Sequence, residues 1–233
     1  MTGKVVLIVA SHPDDEVLGV GGTACAHATA DDTVEVIIVA EGATSRDLET
    51  TSKKLNPLVG ELKEAAVKAA QTLGTAKPRF LGLPDQRLDT LPFSDIVRSI
   101  ETVVAEVSPQ IVYTHHGGDL NLDHRIVHDA VITACRPVPD SSVNLIRCFE
   151  TISSTEWNHP NMRPSFVPTD FVDIATQLEQ KLAALAHYQI EMRAFPHARS
   201  LKAVRALAEW RGAAVGRLAA EAFVVVRRIE RLG

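Results

Sequence analysis

The sequence predicts an α/β fold, a Rossmann-like, mostly parallel sheet flanked by helices, and two observations carry that prediction. Short apolar, β-branched runs alternate with helix-period segments through the first two thirds of the chain, the pattern of successive βαβ units. The chain has 233 residues, 45% of them hydrophobic, enough to bury a sizeable core. No repeat, low-complexity tract or linker divides it, so a single domain over residues 1–233 is expected. Ligands of such sheets bind outside the carboxyl ends of the strands, which puts the expected active site at the ends of strands one and four.

Taken in order, residues 4–10 read as the first strand, and a helix over residues 22–30 follows the Gly21-Gly22 pair. Strands are expected at residues 34–40, 79–83 and 110–114, with helices at 60–73, 95–107 and 123–134 between and after them. Leu73-Gly74 supplies a helix end with its glycine, and Ser94-Asp95 a helix start. A fifth strand is read at residues 145–151. The Pro- and Ser-rich stretch 153–169 has few periodic apolar positions and reads as a long functional loop or an inserted edge element. Helices at 174–193 and 200–218 and a late strand at 222–227 complete the reading.

Bulk charge narrows the function. The net charge is −5, with Lys and Arg scattered along the chain, so no basic footprint offers itself to nucleic acid or to an anionic membrane. A small-molecule partner is expected instead. The early apolar run 5–10 is shorter than the roughly 7–15 residues of a signal-peptide core and far short of the ~20 that span a bilayer. A cytoplasmic location is therefore expected. Cys25, Cys135 and Cys148 are odd in number and lack C-x-x-C spacing, which reads as reduced, partly buried thiols.

The chemistry is concentrated in two segments. The first strand runs directly into Ser11-His12-Pro13-Asp14-Asp15-Glu16. A histidine and three carboxylates at one strand end are costly together unless a cation or hydrogen bonds compensate them, and a divalent metal does so efficiently. Neighbouring side chains on a turning segment point apart, so His12 and Asp15 can face one point while Asp14 faces another. Two residues would then hold a metal and the carboxylate between them would handle protons. The second segment follows the fourth strand: His115-His116-Gly117-Gly118-Asp119-Leu120-Asn121-Leu122-Asp123-His124, with His128 one helical turn on. His124, opening a helix, makes a third ligand, and Asp123 beside it a carboxylate that orients a ligand. His115, His116 and His128 are rivals for the third position. Three N and O ligands with an open fourth position suit catalytic zinc.

These residues resemble the PIG-L/LmbE-like family of zinc N-deacetylases, marked by A/S-H-P-D-D-E after the first strand and a later H-x-D-H. The first motif is complete. The resemblance implies hydrolysis of an N-acetylated substrate, commonly an amino sugar or its conjugate. It implies His12, Asp15 and His124 as zinc ligands and Asp14 as the general base toward water on the zinc. The second motif departs from the pattern, because its first His is Asn121, and an amide donates a hydrogen bond but carries no proton. Asn121 would then serve the developing oxyanion, and the acid role would pass to Asp14 or to another histidine such as His197.

For the substrate, Arg46 in the loop after the second strand could grip a polar group through its planar fork. Trp157 could offer a ring face to a sugar, and His197 lies in a loop between the last two helices. Asp85, after the third strand, reads more simply as a turn residue paired with Arg87. Gly19-Val20-Gly21-Gly22 could approach a phosphate at a helix start, but it lacks G-x-G-x-x-G spacing and follows three acids. A metal-dependent amidase of a larger conjugate, or a phosphoesterase, is the alternative reaction. Related enzymes are often oligomeric, so a homo-oligomer is an expectation by analogy.

Overall fold

The computed structural model describes residues 3–46 and 57–230, the side chain of Arg46 excepted. Seven strands form one sheet: β1 Val5–Ala10, β2 Thr33–Ala40, β3 Arg79–Leu83, β4 Ile111–His115, β5 Leu145–Phe149, β6 Asp170–Asp173 and β7 Ala220–Arg228. Their spatial order is β3-β2-β1-β4-β5-β7-β6. β1 pairs in parallel with both β2 and β4, β2 with β3 and β4 with β5, whereas β7 runs antiparallel to β5 and to β6. Strand order reverses between β1 and β4, so the loops after these two strands open into one crevice.

Period-2 alternation divides the core. Val6 and Ile8 of β1 and Val34, Val36 and Ile38 of β2 face one side, and Leu7, Val9, Ile37 and Val39 the other. Helices α1 (Asp15–Thr29), α2 (Pro57–Leu73), α5 (Leu178–Leu185) and α6 (Leu201–Ala213) cover the first face. Helices α3 (Phe93–Val107) and α4 (Leu122–Ala134) cover the second. No helix among the described residues is long and apolar enough to cross a membrane. Cys25, Cys135 and Cys148 are buried and unpaired.

Three expectations need correction. The first helix begins at Asp15, seven residues ahead of the expected start, so Gly19, Gly21 and Gly22 lie inside it and make no phosphate loop. Their glycines serve close packing. A Cβ on Gly19 would come within 2.1 Å of the Phe149 ring, and one on Gly22 within 2.7 Å of Ile174. The expected helix 174–193 is helical only over Leu178–Leu185, because Tyr188 and Glu191 turn inward, Tyr188 toward Glu16 and Glu191 toward Arg199. Its neighbour ends at Ala213 rather than 218. Ahead of α5 lies β6, a four-residue edge strand bounded by aspartates that the periodicity did not reveal.

Candidate metal centre and active site

The turn between β1 and α1 sets the first half of the site. Asp14 occupies the left-handed region, φ 104, immediately before the helix, and its carbonyl accepts from Val17 and Leu18 N–H. A non-glycine residue in that conformation costs on the order of 1–3 kcal/mol and persists where surrounding contacts over-determine it. Here Glu16 Oε2 accepts the Asp14 N–H at 3.1 Å and Arg199 Nη1 reaches Asp14 Oδ2 at 2.8 Å. The geometry turns Asp14 away from Asp15, whose side chain folds back so that Oδ2 accepts the His12 N–H at 2.9 Å. Acidic residues in this first turn also suit the helix dipole.

The β4–α4 segment supplies the second half. Asn121 caps α4, its Oδ1 accepting the Asp123 N–H at 2.9 Å. His124 follows, with both ring nitrogens buried. His12 Nδ1 and His124 Nε2 each lie 3.2 Å from Asp15 Oδ2. His12, Asp15 and His124 thus present one ligand atom each within 4.8 Å of one another, all buried. Asp15 Oδ1 and both His124 nitrogens complete no hydrogen bond. Buried polar atoms are nearly always bonded. A carboxylate with one unbonded oxygen and an imidazole with unbonded nitrogens, buried together in a His/Asp/His set of N and O donors, fit a divalent cation.

Carboxylates stand behind both histidines. Asp123 Oδ2 lies 3.1 Å from His12 Nε2, and Asp85 Oδ1 lies 3.2 Å from the same nitrogen. Asp119 Oδ1 lies 3.3 Å from His124 Nδ1. His12, Asp85 and Asp123 are also close enough to hold an ion. Both Asp123 oxygens, however, already accept backbone N–H groups, from Gln86 at 2.8 Å and Leu88 at 3.2 Å. That occupancy suits an orienting carboxylate. Asp85, expected to pair with Arg87, instead receives the Ser45 hydroxyl and faces His12.

The three rival histidines are engaged elsewhere. His115 Nε2 accepts the Ser11 N–H at 2.8 Å, so its lone pair is taken, and the ring stacks on His124 at 4.0 Å between centroids. His116 Nε2 donates to the Pro164 carbonyl and His128 Nδ1 to the His115 carbonyl.

Electrostatics follow from burial and from these neighbours. Burial opposes charge on His12, but the hydrogen bonds that Asp123 and Asp15 accept from it outweigh that effect and raise its pKa to about 10. His124 behaves likewise, burial opposing and Asp15 and Asp119 raising it to about 9. Burial pushes Asp14 well above the ordinary carboxylate range, while the Arg199 guanidinium pulls against it. Burial drives His115 well below the usual value, with the His124 charge beside it adding to the effect. Both imidazoles whose values are raised face carboxylates on their two ring nitrogens, Asp15 on one side and Asp123 or Asp119 on the other.

Of the residues expected to meet a substrate, Trp157 and His197 come together, their rings edge to face at 6.3 Å. Trp157 is half exposed, and His197 Nδ1 accepts the Arg199 N–H at 3.0 Å. Arg46 ends the short 3-10 turn Thr44–Arg46, but its side chain, and the contact expected of it, lie outside the described residues. Two residues of the site were not singled out from the sequence. Asp119 stands in the quoted second segment with nothing in its spacing to separate it from a turn residue. Arg199 lies 185 positions from Asp14, in the segment from which only His197 was chosen.

The family model described as PIG-L, GlcNAc-PI de-N-acetylase, matches residues 7–135, which carry both halves of the site. The uncharacterized deacetylase YaiS of Escherichia coli K12 is 26% identical over 192 residues, covering 80% of this chain and 91% of that protein. Among solved structures, N,N'-diacetylchitobiose deacetylase from Pyrococcus horikoshii superposes with a TM-score of 0.76 at 20% identity, covering 96% of this chain and 84% of that one. GalB, the 4-carboxy-2-hydroxymuconate hydratase of Pseudomonas putida KT2440, does so with a TM-score of 0.76 at 22% identity, covering 99% of this chain and 100% of that one. Identities this low show the shared fold, on which different reactions are built.

Proposed function

The chain belongs to the PIG-L, GlcNAc-PI de-N-acetylase family, and from that membership we propose that it is a zinc-dependent deacetylase removing the N-acetyl group of an amino sugar or amino-sugar conjugate. The observation that carries the reading is the convergence of His12, Asp15 and His124 in one buried place, with Asp15 Oδ1 and the His124 nitrogens unbonded. The family description and the chitobiose deacetylase neighbour both point to an acetylated amino sugar.

Held by these three residues, zinc would supply Lewis acidity toward the amide carbonyl and toward water. The remaining work falls to the chain. Asp14, turned away from Asp15 by its left-handed backbone, takes the proton of the attacking water and returns it to the departing nitrogen. Asn121 has committed its Oδ1 to the helix cap, so its contribution is a hydrogen bond from Nδ2 to the developing oxyanion. Asp123 keeps the His12 ring oriented. Trp157 and His197 form the rim against which a sugar ring packs.

The test is acetate release from a panel of N-acetylated sugars, nucleotide sugars and thiol conjugates, using metal-analysed enzyme beside Asp14→Asn. Zinc-dependent acetate release that disappears in the variant is expected. A larger acid or inorganic phosphate in place of acetate would redirect the reaction, and an Asp14→Asn enzyme with undiminished turnover would remove Asp14 from its role.

A further inference from the structure

Asp119 is fully buried, and four groups converge on it. His124 Nδ1 lies 3.3 Å from Oδ1. The Asn121 N–H donates to Oδ1 at 2.8 Å, the Ser154 hydroxyl also donates to Oδ1, and the Thr155 hydroxyl donates to Oδ2 at 2.6 Å. A carboxylate this well supplied with donors is fixed in place. Nothing in the helix-capping role of the neighbouring Asn121 requires it.

Its placement mirrors that of Asp123. His12 turns Nδ1 toward Asp15 and Nε2 toward Asp123, and His124 turns Nε2 toward Asp15 and Nδ1 toward Asp119. Each histidine therefore offers one nitrogen to the cation site and the other to its own buried carboxylate. A ligating histidine that donates its second N–H to a carboxylate is fixed in tautomer and orientation, and loss of such a partner commonly weakens metal binding 10–100-fold.

We propose that Asp119 is a positioning residue for the metal. It selects the Nδ1–H tautomer of His124 and aims Nε2 at the cation, and the Ser154-Thr155 turn that precedes Trp157 holds it there. The Nδ1–Oδ1 approach already lies within ion-pair distance, and a tilt of the ring converts it into a donated hydrogen bond. The same carboxylate thereby ties the metal-binding end of α4 to the turn that carries the substrate rim. The inference rests on the metal site of the proposed function and not on the reaction carried out there.

Two measurements test it without assaying activity. The first is zinc affinity of metal-free wild type and Asp119→Asn by competition with a chromophoric chelator, with His124→Asn as reference for a lost ligand. A 10–100-fold loss in Asp119→Asn is expected. Wild-type affinity in that variant would overturn the proposal while leaving the metal site intact. Should Asp119→Asn not fold, the second measurement uses wild-type protein alone. Long-range nitrogen–proton NMR of the zinc-loaded, histidine-labelled chain should show His124 as the Nδ1–H tautomer. The Nε2–H tautomer would refute the assignment. A wild-type chain that takes up no zinc would sink the metal site itself, and this proposal with it.

Discussion

Arg199 Nη1 lies 2.8 Å from Asp14 Oδ2, closing a contact between residues 185 positions apart. The same guanidinium donates from Nε to Ser153 Oγ at 2.7 Å and approaches Glu191 at 3.3 Å. One side chain thus joins the strand–helix turn, the rim loop and the segment after α5. It holds one oxygen of Asp14 and thereby decides where the other points.

The first prediction follows from that anchorage. Arg199→Gln should lower kcat on the order of 10²-fold, the size of effect expected when a reacting group is misplaced by about 1 Å, with a smaller change in KM. Arg199→Lys keeps the charge but loses the fork, so it should recover only part of the loss. Added guanidinium should restore turnover to Arg199→Ala. A pure rise in KM with unchanged kcat would show instead that Arg199 meets the substrate rather than Asp14.

Removing the metal should cost stability as well as activity. With zinc at a hundred times its Kd, a ligand bound only by the folded state contributes about 2.7 kcal/mol. For a chain of this size that is a shift of roughly 5–10 °C in Tm. Chelator-treated protein should show that drop and recover on adding zinc, and Asp15→Asn should show no zinc response. An identical Tm with and without zinc would argue against the His12, Asp15 and His124 assignment.

How far the sequence reveals this site depends on how local each signal is. His12, Asp14 and Asp15 lie in one unbroken segment at a strand end, and Asp123 and His124 in another, so residue type and spacing alone bring them forward. The adjacency of β1 and β4, which makes the two segments face each other, follows from the general topology of parallel sheets. What stayed hidden depends on tertiary contacts. The start of α1 was displaced because glycines that read as a loop are there to let Phe149 and Ile174 approach the helix. The helical period after α5 breaks because Tyr188 is drawn to Glu16. Arg199 and Asp119 gain their roles from partners that only folding supplies, and β6 exists only as an edge partner of β7.

A pH response away from the site is expected at His27. Its Nδ1 lies 2.7 Å from Asp32 and its Nε2 3.0 Å from the Tyr113 hydroxyl. Burial holds its pKa below the ordinary 6.5 despite the pull of Asp32. With the folded value depressed, the unfolded chain binds the proton first as pH falls. The stabilisation is therefore complete above 6.5 and is lost as pH drops from there through the folded value, by at most about 1.4 kcal/mol per pH unit. Denaturant unfolding of wild type and His27→Gln from about pH 8 to about pH 5 should show the difference between them shrinking. A gap that stays constant or widens toward acid would contradict the buried, neutral imidazole.

The buried pair Lys181 and Glu221 should dominate the stability of the C-terminal part of the fold. Lys181 Nζ lies 2.5 Å from Glu221 Oε1 and donates to the Leu18 carbonyl at 2.8 Å. Glu221 accepts Gly22 and Thr23 N–H from α1, at 2.9 and 2.7 Å. Glu221 on β7 is therefore a buried carboxylate tied to the same helix whose first residue belongs to the candidate site. Lys181→Met leaves that carboxylate without its cation, a loss of about 3–5 kcal/mol for a broken buried pair. Lys181→Met/Glu221→Gln removes both charges, so it should be less destabilised than the sum of the two single variants, as contacting residues are. Thermal unfolding of the three variants measures this coupling. Strict additivity would mean that the two side chains act independently, and that α1 is held to β7 by the bonds its backbone N–H groups donate to the Glu221 carboxylate, without help from the lysine.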